Sequence, residues 1–251
     1  MASDDDHHLA RDLAVVAGHR LVELRTRGGQ PDELRRAGDR MSHEFLTTEL
    51  ARLRPDDWVL SEEGADDPAR LAADRVWIVD PLDGTREFGE AGRTDWAVHV
   101  ALWERAPGGL TAGAVALPAQ DEVLSTVNPP LLPADPPEKP LRVVVSRSRP
   151  ASFLPRMAEL AGADLDPLGS AGAKVAAVVF GAADAYVHAG GQYEWDSAAP
   201  VAVARAAGFH ASRIDGRELS YNQSDLLMPD ILVCPPVLAG VLLDAIRTAQ
   251  S

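Results

Sequence analysis

The sequence predicts an α/β protein made of two halves, an α+β half over residues 1–140 and an α/β half over residues 141–251. Three observations predict it. Two helix-spaced apolar stripes open the chain and give way to segments that alternate like strands. Six prolines crowd the twelve residues from Pro129 to Pro140, a composition that cannot join a central sheet and reads as a connector. Beyond that joint, short apolar strands and amphipathic helices take turns.

Leu9, Leu13, Val16, Leu21 and Leu24 recur at helical spacing and predict a first helix ending near Gly28-Gly29. Phe45, Leu46, Leu50 and Leu53 mark a second, running from about Arg40 to Leu53. Trp58-Val59-Leu60 reads as a short strand entering Ser61-Glu62-Glu63, and Val76-Trp77-Ile78-Val79 as a buried one. Trp96, Val98, Val100 and Leu102 alternate with Ala97, His99 and Ala101, a strand pattern in which His99 is simply a strand residue. Residues 114–117 and 123–127 continue an antiparallel sheet through turns. In the second half the pattern predicts strands at 141–145, 185–187 and 231–233. It predicts helices at 150–160, 173–180, 197–207 and 237–249.

The chain has 24 basic and 38 acidic side chains, a formal charge of −14, which argues against a nucleic-acid polymer or an anionic membrane as the partner. A small anion remains compatible, because bound cations can reverse the local sign. Cys234 is the single cysteine, so an intrachain disulfide and a cysteine-rich zinc site are excluded; its apolar neighbours make it a buried structural thiol. With no long apolar span and an acidic, polar start, the expectation is a cytoplasmic protein.

The chemistry concentrates in Asp80-Pro81-Leu82-Asp83-Gly84-Thr85. A buried strand ends there in two carboxylates three residues apart, followed by a glycine turn and a hydroxyl. Carboxylate and carbonyl oxygens suit a hard cation such as Mg²⁺, and glycine lets backbone N–H groups approach an anion. The same letters also make an ordinary turn, so distant residues must decide. Glu62 ends the neighbouring strand, which would bring it beside Asp80, with Glu63 turned away by strand alternation. Asp196 stands before a small-residue helix and could cap it; Asp39 is similarly placed to cap the second helix. Ser146 and Arg147 follow a strand, Gly169 to Gly172 precede a helix, and Lys174 sits in that helix's first turn, where a cation opposes the dipole. These could contact an anion or merely face solvent.

Asp80-Pro-Leu-Asp-Gly-Thr85, Ser61-Glu62-Glu63 and Trp195-Asp196-Ser-Ala-Ala199 together resemble the signature of the Mg²⁺-dependent, lithium-sensitive phosphatases, the inositol monophosphatase superfamily. The three motifs stand in family order. The resemblance implies a layered αβαβα sugar-phosphatase fold. It also implies two or three Mg²⁺ ions held by Glu62, Asp80, the Leu82 carbonyl, Asp83 and Asp196. Thr85 would orient the attacking water and relay a proton to Asp39, with Glu62 on the water's side, and the N–H groups of Gly84 and Thr85 would hold the phosphate.

Within the superfamily the chain looks most like the CysQ type of 3'(2'),5'-bisphosphate nucleotidase, which serves sulfate assimilation. Ser146, Arg147, Ser170, Lys174 and Asn222 are the implied substrate residues. The implied partner is a small phosphorylated molecule: adenosine 3',5'-bisphosphate or its 5'-phosphosulfate form first, inositol-1-phosphate or fructose-1,6-bisphosphate as alternatives. A sensor that binds nucleotide without cutting it is a further alternative, and monomer and homodimer both stay open. One segment departs from the family: Arg36-Ala37-Gly38 precedes Asp39, and the family's hairpin is expected to shrink to residues 29–37.

Overall fold

The computed structural model describes residues 2–132 and 140–251; residues 133–139, which hold most of the expected proline connector, lie outside the described residues. In chain order the first half contains α1 (Asp4–Arg27), α2 (Pro31–Leu53), β1 (Trp58–Ser61), β2 (Arg75–Asp83), α3 (Thr85–Gly89), β3 (Ala97–Glu104), β4 (Gly109–Leu117) and β5 (Glu122–Ser125). The second contains β6 (Leu141–Ser146), α4 (Leu154–Ala161), β7 (Ala163–Leu168), α5 (Ala171–Val179), β8 (Ala185–Tyr193), α6 (Glu194–Ala206), β9 (His210–Ser212), β10 (Leu227–Cys234) and α7 (Pro236–Ala249).

Among the described residues two five-stranded sheets form, ordered β1-β2-β3-β4-β5 and β7-β6-β8-β10-β9. In the first, only β1 and β2 run parallel, with Ser61 opposite Val79. Helices α1 and α2 cover one face, where Leu21, Leu46 and Leu50 are fully buried with Trp77, Val79, Val98 and Val100. Each such leucine contributes about 1.5–3 kcal/mol relative to exposure. The other face carries α5 and α6, which also pack on the second sheet, and α4 and α7 close that sheet's far side. The layering is thus αβαβα.

The alternation on β3 feeds both neighbours. Val98, Val100 and Leu102 meet the α1/α2 layer, and Ala97 and Ala101 meet the central helices. Small residues let α6 lie close to the sheet: a Cβ on Gly113 would come within 2.8 Å of Ala202 Cβ.

Helix α1 starts with a capping box, Ser3 and Asp6 bonding each other's backbone N–H groups. Helix α2 corrects the sequence expectation, because it begins at Pro31 and not near Arg40, so residues 31–37 are helix instead of a shortened hairpin. Pro31 is preorganised for the first turn, and Asp32 and Glu33 complement the dipole. Gly38 does not break the helix. A Cβ there would stand 2.9 Å from Phe88 and 3.0 Å from Leu82, so glycine is what lets α2 lie against the end of β2.

The strand β7 was not legible, since its apolar face is only Ala163 and Leu165 between aspartates and Pro167 reads as a breaker; it pairs in parallel with β6 at the sheet edge, where proline is tolerated. Cys234 is fully buried, as expected, and burial pushes its thiol up to about 12. Among the described residues no helix is long and apolar enough to cross a membrane.

Candidate active site

Strand β2 ends in the site. Asp80 is 1% exposed and its Oδ1 accepts the Leu82 N–H at 3.1 Å, while Asp83 is also buried. Asp196 belongs to the first turn of α6, two residues beyond its start, and is not the cap. Its Oδ2 accepts the Tyr193 N–H at 2.7 Å, which aims the carboxylate back at the helix start. Asp80, Asp83 and Asp196 each place a carboxylate oxygen within 4.8 Å of the others. The parallel pairing of β1 with β2 then adds Glu62, whose N–H bonds the Val79 carbonyl and whose carboxyl group bonds Asp80. Glu62 is an exposed residue just past the end of β1, with its carboxyl group bonded to Asp80.

Four carboxyl groups this close repel one another. Burial first, then the charges of Glu62, Asp83 and Asp196, raise Asp80 well above the usual carboxylate range. Burial and the charge of Asp196 raise Glu62 to about 7, and burial with the charge of Asp83 raises Asp196 to about 6. Asp83 goes the other way: although burial opposes it, His99, Lys174 and Ser170 hold it at about 2. An all-oxygen, mutually repelling set of this kind fits hard divalent cations, whose charge would relieve the repulsion.

Gly84 takes the left-handed conformation (φ 84°, ψ 40°) that turns the chain from β2 into α3. A Cβ there would meet Ser170 at 3.1 Å and the Asp95 carbonyl at 3.2 Å. Thr85 Oγ1 lies 3.0 Å from the Leu82 carbonyl and 3.2 Å from Asp39 Oδ1, so the expected Thr85–Asp39 pair meets in space. Asp39 is mid-helix and not a cap; burial and then the charge of Glu63 raise it to about 6.

From the second half, Ser170 caps α5 by accepting the Ala173 N–H at 2.9 Å and donates to Asp83 Oδ2 at 2.5 Å. Lys174 is 3% exposed, its Nζ curled back onto the Gly169 and Ser170 carbonyls. Burial lowers its pKa. The unfavourable dipole position is therefore offset by two carbonyl acceptors and the nearby Asp83. A cavity of about 200 Å³ opens beside the cluster, touching Thr85, Ser146, Arg149, Ser170, Lys174 and Asp196.

Two expected residues are held elsewhere. Arg147 does not line the cavity, because Glu87 and Glu90 grip its guanidinium, with Nη2 2.6 Å from Glu87 and 2.9 Å from Glu90. Asn222 is buried, donating its N–H to Glu194 at 2.6 Å and accepting from Arg70 Nη1 at 2.6 Å. Arg149 closes the Ser146-to-Arg149 stretch that the sequence offered for the substrate, and it lines the cavity with His188 and Gln192, which sequence reasoning missed. Arg149 was visible beside Arg147, but nothing in a linear reading marks the other two.

Together the fold and this carboxylate-rich cleft define a metal-dependent phosphatase class. The chain belongs to the inositol monophosphatase family, which it matches over residues 13–251, and whose members are metal-dependent. More particularly, it is 50% identical to the 3'-phosphoadenosine 5'-phosphate phosphatase of Mycobacterium leprae, over 96% of this chain and 93% of that one. It is 32% identical to the 3'(2'),5'-bisphosphate nucleotidase CysQ of Escherichia coli K12, over 74% of this chain and 78% of the relative. A solved structure of CysQ from Bacteroides thetaiotaomicron superimposes with a TM-score of 0.80 at 28% identity, covering 92% of this chain and 97% of that one.

Proposed function

We propose that this protein is a Mg²⁺-dependent phosphoric monoester hydrolase that removes the 3'-phosphate of adenosine 3',5'-bisphosphate, giving AMP and phosphate. The observation that carries the reading is the convergence of Glu62, Asp80, Asp83 and Asp196 beside the Thr85–Asp39 pair. The choice of nucleotide rests on the 50% identity to a phosphatase named for that substrate.

Glu62, Asp80, Asp83, Asp196 and the Leu82 carbonyl would hold the cations. When bound, such ions neutralise phosphoryl oxygens, lower the pKa of water and stabilise the leaving alkoxide. The rest of the work falls to the chain itself. Thr85 accepts a hydrogen bond from the attacking water and passes its own proton toward Asp39. A carboxyl near 6 is ionised at neutral pH yet able to take that proton. The N–H groups of Gly84 and Thr85, at the start of α3, are free of intrahelical partners and suit phosphate oxygens. Ser170 and Lys174 brace Asp83 from the second half, so residues 1–140 supply most ligands and residues 141–251 supply Asp196 and the substrate side.

The test is inorganic phosphate release from adenosine 3',5'-bisphosphate with Mg²⁺ and after chelation. Mg²⁺-dependent release supports the reading, and release that survives chelation overturns the metal assignment.

A further inference from the structure

We propose that His99 is a positioning residue that locks Asp83 and Asp196 into one cation-ready arrangement; this rests on the metal-dependent reading above. His99 lies on β3 and is fully buried, though its sequence context marks it only as a strand residue. Its Nε2 is 3.2 Å from Asp83 Oδ2 and its Nδ1 is 3.2 Å from the carbonyl of Trp195, the residue immediately before Asp196. One ring thus spans the gap between the first sheet, which carries Asp83, and α6, which carries Asp196.

Two further observations show that the surroundings are shaped for that ring. Asp83 Oδ2 already accepts from Ser170 Oγ at 2.5 Å and Gly172 N–H at 2.7 Å, and His99 Nε2 lies 3.2 Å from it without the alignment of a hydrogen bond. Oδ1 is the Asp83 oxygen without these donors, and it would be the one left to hold a cation. Gly172 also has to be glycine, because a Cβ there would overlap His99 Nε2 and come within 2.9 Å of Val115. A histidine that merely filled the core would not need one nitrogen bonded to the residue before Asp196 and the other buried beside Asp83 with no hydrogen-bond partner of its own. The packing of α6 on the sheet already holds the two layers together. His99 adds a polar side chain that reaches from the sheet to both acids' surroundings, and partners of this kind orient ligands and set affinity in metal sites generally.

The test uses the whole protein and metal salts alone. In H99F, which keeps ring bulk and drops both polar contacts, calorimetry with MnCl₂ is expected to show one ion bound about 10–100-fold more weakly. Wild-type affinity and ion count in a folded H99F would overturn the proposal. A second measurement needs no variant: with ¹⁵N-labelled histidine, the His99 ring signals of the unmodified protein are expected to move as Mg²⁺ is added. Ring signals that stay put at saturating Mg²⁺ overturn it even if H99F fails to fold. Should the unmodified protein bind neither ion, the metal-dependent reading itself falls and this proposal with it. Bound ions with an indifferent His99 would sink the proposal alone.

Discussion

Thr85 Oγ1 and Asp39 Oδ1 sit 3.2 Å apart although 46 residues and two different helices separate them. The contact depends on Gly38, which lets α2 lie close enough to the end of β2 for Asp39 to reach across. It joins the hydroxyl beside the carboxylate cluster to a carboxyl group outside it.

If Asp39 receives the proton, D39N should lower kcat by about 10²–10⁴-fold while leaving metal affinity intact. The sign of the pH effect follows from Asp39 being raised to about 6. Its base form disappears as pH falls through that value, so wild-type kcat/KM should drop below about pH 6. The D39N profile should lose the Asp39 step and keep only the dependence that Glu62 and Asp196, raised to about 7 and about 6, impose there. A rate profile measured from pH 5 to 8 for both proteins checks this.

The cavity side chains separate two neighbouring arginines. Arg149 lines the cavity, whereas Arg147 is committed to Glu87 and Glu90. R149A should therefore raise KM for the nucleotide about tenfold, in line with losing one charge-assisted hydrogen bond. R147A should leave KM close to wild type and lower thermal stability instead. Steady-state kinetics and melting curves of the two variants decide between them.

Removing a ligand should change how the fold responds to metal. Wild-type protein at 100 times its dissociation constant for Mg²⁺ gains about 2.7 kcal/mol of apparent stability. D83N should lose most of that gain. Without metal it should not be rescued by relief of repulsion, because Asp83 is the one cluster carboxyl already held low by its neighbours. Calorimetric melting with Mg²⁺ and with chelator reads both effects.

Far from the site, Asp6 is 2% exposed and accepts from Arg54 Nε at 2.9 Å and Arg75 Nη2 at 3.0 Å. Against the opposing effect of burial, the Ser3 N–H and these arginines lower it to about 2. A depressed carboxyl contributes stability above its unfolded value and loses it as pH falls through the folded one. Asp6 therefore contributes roughly 2 kcal/mol at neutral pH, lost between about pH 4 and pH 2. D6N should be less stable at pH 7 and show a smaller loss over that acid window, measurable by urea unfolding.

Part of the carboxylate cluster was legible from local spacing, and the rest only from the resemblance of its distant motifs to a family signature. Asp80 and Asp83 end one strand, Glu62 ends its neighbour, and Asp196 belongs to a compact motif. What escaped was set by distant packing. Arg147 looks like a substrate arginine until α3 brings Glu87 to it. The start of α2 was hidden because Gly28, Gly29, Pro31 and Gly38 read as breakers, whereas Pro31 opens the helix and Gly38 fits it against Phe88. His99 carries a strand pattern, and its contact with Asp83 comes from the register of β2 against β3 and from the nearness of α6.

Phosphate release should be followed in parallel from adenosine 3',5'-bisphosphate, inositol-1-phosphate and fructose-1,6-bisphosphate at saturating Mg²⁺. The account predicts the highest kcat/KM for the nucleotide, by at least about tenfold, a margin of about 1.4 kcal/mol in transition-state binding. A higher kcat/KM for either of the other two substrates would contradict it.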